Sequence, residues 1–110
     1  MTEDQLKKQI AIELHKQNLH DLKAVMDLPE GRRFFQWLVM RCGQDNISFS
    51  PDGQTEFREG MRNVGLILKG CMKELGIGGV DQLHKAEREY ILFQIDQRER
   101  ILAKEEGKRK

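Results

Sequence analysis

The chain has 110 residues, of which 38% are hydrophobic and 34% are charged. That length fits one domain with a modest core. The formal net charge is +1, so no global field draws the chain to nucleic acid or to a membrane surface. No apolar run is long enough to span a bilayer. The charged start lacks a secretory hydrophobic region, which predicts a cytosolic protein.

The first helix is expected to begin after Thr2, where Thr2 and Gln5 have the spacing of a capping box, and to end near Gln17. A short second helical piece is expected after Asn18, so that residues 2–27 form an N-terminal helical segment. The apolar stripe of the first helix is narrow: Leu6, Ile10 and Leu14. A narrow stripe predicts packing along one edge or against a partner.

The second helix is predicted over Glu30–Cys42, with Pro29 in its first turn. Its sequence is apolar nearly all round, which predicts a central, buried helix with Trp37 among the core residues. Gly43 is a natural stop in the left-handed conformation. Between Gln44 and Gln54 a polar loop follows, from which two side chains are expected to reach the core: Ile47 and Phe49.

The third helix is predicted over Thr55–Leu75, with one apolar face at helical spacing: Phe57, Met61, Val64, Leu68, either Cys71 or Met72, and Leu75. The glycines at 76, 78 and 79 then end it. The last helix is expected from Val80 to Glu105, projecting beyond Phe93, and residues 106–110 are expected to be a flexible tail. The predicted fold is a single small all-α domain, in which the second and third helices form a central antiparallel pair flanked by partly projecting terminal helices.

Catalytic, cofactor and metal sites are not predicted. The three histidines and two cysteines are scattered, without the short spacings of a zinc site. Cys42 and Cys71 fit a reducing compartment and are expected to pack as small hydrophobic residues. A Cys71–His84 nucleophile pair is the one alternative, and it is disfavoured because a thiol on an apolar face is unreactive.

Five arginines lie in the central stretch: Arg32, Arg33, Arg41, Arg58 and Arg62. They could bind phosphates, with Trp37 stacking on a base. The commoner outcome is internal pairing with Glu30 or Glu59, because the net charge is near neutral. Arg62 and Asn63 interrupt an otherwise apolar helix, so they either lock the central helices together or bind a carboxylate on another subunit.

Two sequence blocks carry a family resemblance. The first is Pro29, Glu30, Gly31, Arg32, Arg33 and Phe34, and the second is Arg62, Asn63, Val64, Gly65 and Leu66, preceded by Glu59 and Gly60. The chain from Asp21 to Leu75 resembles a family of small tailed-bacteriophage proteins whose namesake is protein nineteen of a Bordetella podophage. Two positions depart from the family pattern: Leu28, where Ser or Thr is usual, and Met61, where a second arginine is common.

The resemblance implies a phage structural or morphogenesis protein without catalysis. Its partners would be other phage structural proteins, in the portal, head or tail, or further copies of itself, and its location the host cytoplasm during assembly or the virion. A nucleic-acid-binding or packaging accessory protein remains the alternative. The candidate signature or interaction residues are Glu30, Arg32, Arg33, Trp37, Glu59, Arg62 and Asn63.

Overall fold

The computed structural model describes residues 1–43 and 54–109. Within these ranges the chain forms four α-helices and no strand: α1 (Glu3–Met26), α2 (Pro29–Arg41), α3 (Thr55–Glu74) and α4 (Ile77–Arg109). The predicted all-α class is therefore confirmed. The two loop residues expected to reach the core, Ile47 and Phe49, lie outside the described residues.

Helix α1 begins at the predicted capping box but does not stop at Asn18. Thr2 Oγ1 accepts a hydrogen bond from the Gln5 amide at 3.1 Å, and Gln5 Oε1 accepts one from the Thr2 amide at 2.9 Å. Further along, Gln17 Nε2 donates to Asp21 Oδ1 at 2.8 Å, across the predicted break. Asparagine costs less than about 0.7 kcal/mol of helix propensity. One asparagine among good helix formers is therefore too weak a signal to end the helix.

A tight corner joins α1 to α2. Asp27 is the C-cap of α1, and Leu28, in an extended conformation, is the N-cap of α2. Leu28 provides no side-chain hydrogen bond to the first turn of α2. Pro29 then occupies the first turn, as predicted. Gly31 lies so close to α1 that a Cβ atom on it would clash with the carbonyl oxygen of Val25. The corner therefore needs glycine at position 31 for space.

Glycines also mark the ends of α2 and α3. Gly43 has a φ of 67° and Gly76 a φ of 82°, the left-handed conformation that ends a helix at little cost for glycine. Helix α4 starts directly after this turn, at Ile77 and not at Val80. It also continues through Arg109, so the expected flexible tail is helical up to that residue. The predicted bounds of α4 were thus too short at both ends.

All four helices contribute to one small core. Its buried members are Met26 of α1, Phe35 and Val39 of α2, Met72 of α3, and Leu83 and Ala86 of α4. Three partly buried leucines pack around them: Leu22, Leu68 and Leu75. The apolar face predicted for α3 is correct at its C-terminal end, but Phe57 is 68% exposed and Val64 is 49% exposed. The core is therefore at one end of α3 and does not follow its whole length.

The organising helix is α4. Both α2 and α3 contact α4 more extensively than they contact each other. The predicted central pair of α2 and α3 is therefore wrong as the principal contact of the fold. The physical reason is that the buried residues of α2 and α3 both face the Leu83–Ala86 segment of α4, which carries small and branched side chains.

Two helical segments extend away from this core, as expected for the terminal helices. In α1 every residue before Leu19 is exposed, and in α4 the residues from Ile91 to Lys108 are exposed apart from half-buried Gln97. The molecule is correspondingly long, with principal extents of 76, 40 and 21 Å. Among the described residues, none of the helices is long and apolar enough to cross a membrane.

Candidate interaction surface

The first functional candidate, Arg32, is part of the interior. Its side chain is 7% exposed, and its Nε donates to Glu89 Oε2 of α4 at 2.9 Å. Its Nη1 donates to the carbonyl oxygen of Met26 at 2.8 Å. One guanidinium therefore joins the end of α1, the start of α2 and the middle of α4. A buried arginine needs such partners, because an unpaired buried charge is strongly destabilising.

The expected internal pairing is confirmed for this arginine, but its partner was not predicted; of the two expected carboxylates, Glu59 pairs with Arg62. Glu30 and Glu59 were the expected partners, and the partner of Arg32 is Glu89. Residues 32 and 89 are 57 positions apart, and α4 carries several other carboxylates. The only local signal for Glu89 is its place one turn beyond Ala86, next to the buried side of α4.

Arg33 points the other way, to the surface. Its guanidinium carbon lies 5.1 Å from the centre of the Phe93 ring, which is within the range of a cation–π interaction. Phe93 belongs to α4, so this contact also joins α2 to α4. Arg32 and Arg33 are adjacent in sequence, yet one holds the interior of the α2–α4 contact and the other covers its outer edge.

Trp37 is not a core residue, contrary to the sequence prediction. It is 46% exposed, and its neighbour Phe34 is 59% exposed. Their ring centroids are 5.7 Å apart with a tilt of 39°, a usual geometry for an aromatic pair. Helix α2 buries only the side that faces α4 and α1, because there is no further element of the described chain to cover its outer side.

These side chains surround a shallow hollow of about 320 Å³ between α2 and α4. We name it the aromatic hollow, and its lining residues are Glu30, Arg33, Phe34, Trp37, Tyr90 and Phe93. The structure thus brings together three of the seven candidates: Glu30, Arg33 and Trp37. Phe34, Tyr90 and Phe93 were not among the predicted site residues, although Phe34 belongs to the first signature block.

Two further hollows adjoin the first through Tyr90. One follows α4 outward and is lined by Tyr90, Phe93, Gln94, Gln97, Arg98, Ile101 and Leu102. The other lies beside α2 and α3 and is lined by Gln36, Met40, Lys69, Glu87, Tyr90, Ile91 and Gln94. A continuous, partly apolar surface therefore extends from the outer side of α2 along the projecting part of α4.

An unsatisfied polar atom lies in the wall of this surface. Gln36 is 9% exposed, and its Oε1 atom has no hydrogen-bond partner within the described ranges. Burying an acceptor without a partner costs about 1–3 kcal/mol.

The second group of candidates lies on α3. Glu59 and Arg62 form an ion pair one turn apart, at 4.0 Å, with side chains that are 53% and 40% exposed. Asn63 is exposed. Exposed pairs of this kind contribute about 0–1 kcal/mol. Of the two polar residues that interrupt the apolar sequence of α3, Arg62 is therefore half-buried and Asn63 is exposed.

The metal-ligating residue types stay scattered over the described part of the chain. In residues 1–43 and 54–109, no group of three or more His, Cys, Asp or Glu side chains is placed to hold a metal ion. Both cysteines are free; Cys42 is buried and Cys71 is half-buried.

Comparison of the chain with protein-family models, with curated proteins and with solved structures gave no match.

Proposed function

We propose that this chain is a bacteriophage structural or morphogenesis protein, carried in the virion or used during its assembly, that acts through protein–protein contacts and not through catalysis. The phage assignment rests on the resemblance of the two signature blocks. Other phage structural proteins of the portal, head or tail, or further copies of the chain, would be its partners. Its place of action would be the host cytoplasm during assembly, and the virion if it is retained there.

The observation that supports an interaction role is the exposure of the aromatic hollow. Phe34, Trp37 and Phe93 are 59%, 46% and 39% exposed, and they lie side by side. Large aromatic side chains dominate the energetics of protein interfaces. A contiguous apolar surface with a polar edge, here supplied by Glu30 and Arg33, is typical of a protein-binding site.

The alternative is a nucleic-acid-binding or packaging accessory protein that uses the central arginines. Arg32 is buried against Glu89, so it is not available to bind phosphate. Arg33 lies over Phe93 and Arg62 lies beside Glu59. With a net charge of +1, this distribution favours the protein-contact role over the nucleic-acid role.

Mass spectrometry of purified virions and of purified assembly intermediates tests the proposal. We expect the chain in at least one of these particles, at a fixed copy number. Its presence only in intermediates would make it an assembly factor. Its absence from both would contradict the proposal.

A matched pair of variants connects that test to the aromatic hollow. Trp37→Ala should lower the copy number of the chain in the particle. Phe57→Ala should not, because Phe57 is 68% exposed on α3 and is not one of the residues lining the hollow. Equal effects of the two substitutions would show that the hollow is not the contact.

Heparin chromatography tests the alternative. A protein whose arginines are engaged internally should not be retained at moderate salt. A nucleic-acid binder should be retained and should elute late, with a steep dependence of retention on salt concentration. Late elution with such a dependence would favour the accessory role.

A further inference from the structure

The aromatic hollow concentrates the aromatic residues of the chain. The chain has one Trp, one Tyr and five Phe residues, and the lining of the hollow includes the Trp, the Tyr and two of the Phe residues: Trp37, Tyr90, Phe34 and Phe93. The face of an aromatic ring is negative and attracts a cation that lies above it. A cluster of exposed rings can therefore bind a cation as well as an apolar side chain.

One ring of the hollow already holds a cation of the chain itself. The guanidinium carbon of Arg33 lies 5.1 Å from the centre of the Phe93 ring, and both residues belong to the lining. A guanidinium is planar and weakly hydrated, so it stacks on an aromatic face at a low cost in lost hydration. Among the described residues, no cation lies over the rings of Phe34, Trp37 and Tyr90, which leaves these rings open to a group from outside.

Glu30 adds a carboxylate beside these rings. It is exposed in the first turn of α2 and is part of the lining. The two nearest arginines are engaged elsewhere: Arg32 pairs with Glu89, and Arg33 lies over Phe93. Within residues 1–43 and 54–109, Glu30 therefore has no ion-pair partner, and an incoming cation would find a free negative charge at the edge of the hollow.

We propose that the aromatic hollow binds an arginine side chain of a protein partner, with the guanidinium against the exposed rings of Phe34 and Trp37 and paired with Glu30. The inference rests on the proposed function and deepens it, because it names the chemistry that the partner supplies. Arginine satisfies both parts of the site. Its planar group stacks on aromatic rings, and its fork of N–H donors matches a carboxylate.

Two other occupants fit the site less well. A lysine ammonium is compact and strongly hydrated, and it cannot stack as a planar group on a ring. An apolar side chain would displace water from the Glu30 carboxylate without replacing the lost hydrogen bonds, which costs free energy. Arginine differs from the first occupant in shape and from the second in charge, so short peptides can distinguish the three.

A nuclear magnetic resonance titration of the full chain tests the choice of arginine. The indole N–H signal of Trp37 reports binding, because Trp37 is the single tryptophan. The probes are three acetylated and amidated tripeptides: Gly-Arg-Gly, Gly-Lys-Gly and Gly-citrulline-Gly. Citrulline has nearly the shape of arginine and no charge. The arginine peptide should bind with a millimolar dissociation constant, and the citrulline peptide about fivefold more weakly.

Three results of this titration would overturn the inference. The first is no binding of the arginine peptide. The second is equal binding of the arginine and citrulline peptides, which would show that the hollow does not use the charge. The third is equal binding of the arginine and lysine peptides, which would show that the rings do not select a planar cation.

Glu30→Gln and Glu56→Gln form a matched pair for the role of the carboxylate. Glu30 and Glu56 are each the acidic residue in the first turn of a helix, α2 and α3, and both are exposed. Glu56 does not line the hollow. Glu30→Gln should weaken binding of the arginine peptide about threefold and leave the citrulline peptide unchanged. Glu56→Gln should change neither. Equal weakening by both substitutions would contradict the proposed pairing.

Arg33→Gln tests the site in the opposite direction. The substitution removes the cation of the hollow itself and keeps part of its aliphatic stem, so the repulsion of an incoming guanidinium falls and the face of Phe93 becomes free. Binding of the arginine peptide should become at least about twofold tighter, with no change for the citrulline peptide. Weaker binding of the arginine peptide would overturn the assignment of the hollow as a cation site.

The two proposals fail in different ways. If Trp37→Ala lowers the copy number in particles but the hollow does not prefer the arginine peptide to the citrulline peptide, the arginine is removed and the phage structural role is kept. Selective binding of the arginine peptide by a chain that is absent from every particle would do the reverse.

Discussion

The two halves of α4 contain comparable apolar side chains, which are buried in the inner half and exposed in the outer half. In the inner half, Leu83 is 4% exposed and Ala86 is 0% exposed; in the outer half, Ile91 is 57% exposed and Ile101 is 61% exposed. The difference is made by the neighbours, since α2 and α3 contact the inner half and project no further. Apolar content alone therefore does not decide which residues form the core. Substitutions in each half should reveal this asymmetry as a difference in stability or in association.

The largest effect is expected in the inner half, at the pair that joins α2 to α4. Arg32→Ala should lower the free energy of unfolding by about 3–5 kcal/mol, because Glu89 and the Met26 carbonyl lose their buried partner. Denaturant unfolding, monitored by circular dichroism, measures this loss in the free energy of unfolding. Arg33→Ala, at the exposed neighbouring position, should cost less than about 1 kcal/mol. Similar losses of stability for Arg32→Ala and Arg33→Ala would mean that Arg32 is not the buried one of these two arginines.

Alanine substitutions at two adjacent glycines in the first turn of α4 should change the stability of the fold in opposite directions. A Cβ on Gly79 would clash with the carbonyl oxygen of Met72, whereas a Cβ on Gly78 has open space. Gly79→Ala should therefore destabilise by about 2–3 kcal/mol through overpacking. Gly78→Ala should stabilise by about 0.5–1 kcal/mol, since glycine is the weaker helix former. Thermal and denaturant unfolding measure both; a stable Gly79→Ala would refute the close contact of α3 with α4.

The positions of the helices could be predicted from the sequence because their ends carry local signals. The capping box at Thr2, the proline at 29 and the glycines at 43 and 76 all lie where a helix begins or ends. These signals depend on a few neighbouring residues. Asn18 misled the prediction because it is only a weak helix breaker, and its effect was overcome by the residues on either side.

The pairing of the helices could not be predicted in the same way. Arg32 and Glu89 are 57 residues apart, and nothing near either residue distinguishes this pair from Arg32 with Glu59. The burial of Trp37 was mispredicted for a related reason. The sequence of α2 is apolar on both sides, and only the arrangement of α1 and α4 determines which side is covered.

Trp37 lies at the boundary between the buried and exposed regions, so its effect should be intermediate. A fully buried tryptophan costs about 3–5 kcal/mol on truncation to alanine, as expected from the sequence. At 46% exposure, Trp37→Ala should cost roughly half of that, about 1.5–2.5 kcal/mol. Denaturant unfolding at low protein concentration measures this value. A loss above about 3 kcal/mol would restore the core assignment.

Trp37 also reports association without a mutation. It is the single tryptophan of the chain, and it lines the aromatic hollow. If a second copy covers the hollow, the emission maximum should shift to shorter wavelength as protein concentration rises. Emission that is independent of concentration would mean that the hollow stays open to solvent.

The smallest effect on stability is expected at the far end of α4. Residues 103–108 are exposed throughout, so deletion of residues 103–110 should change the free energy of unfolding of the monomer by less than about 0.5 kcal/mol. The measurement belongs at a concentration low enough to keep the chain monomeric, because association would add stability to the longer chain alone. A truncated chain that fails to fold at low concentration would mean that the outer half of α4 contributes to the core, which would remove the distinction between the two halves.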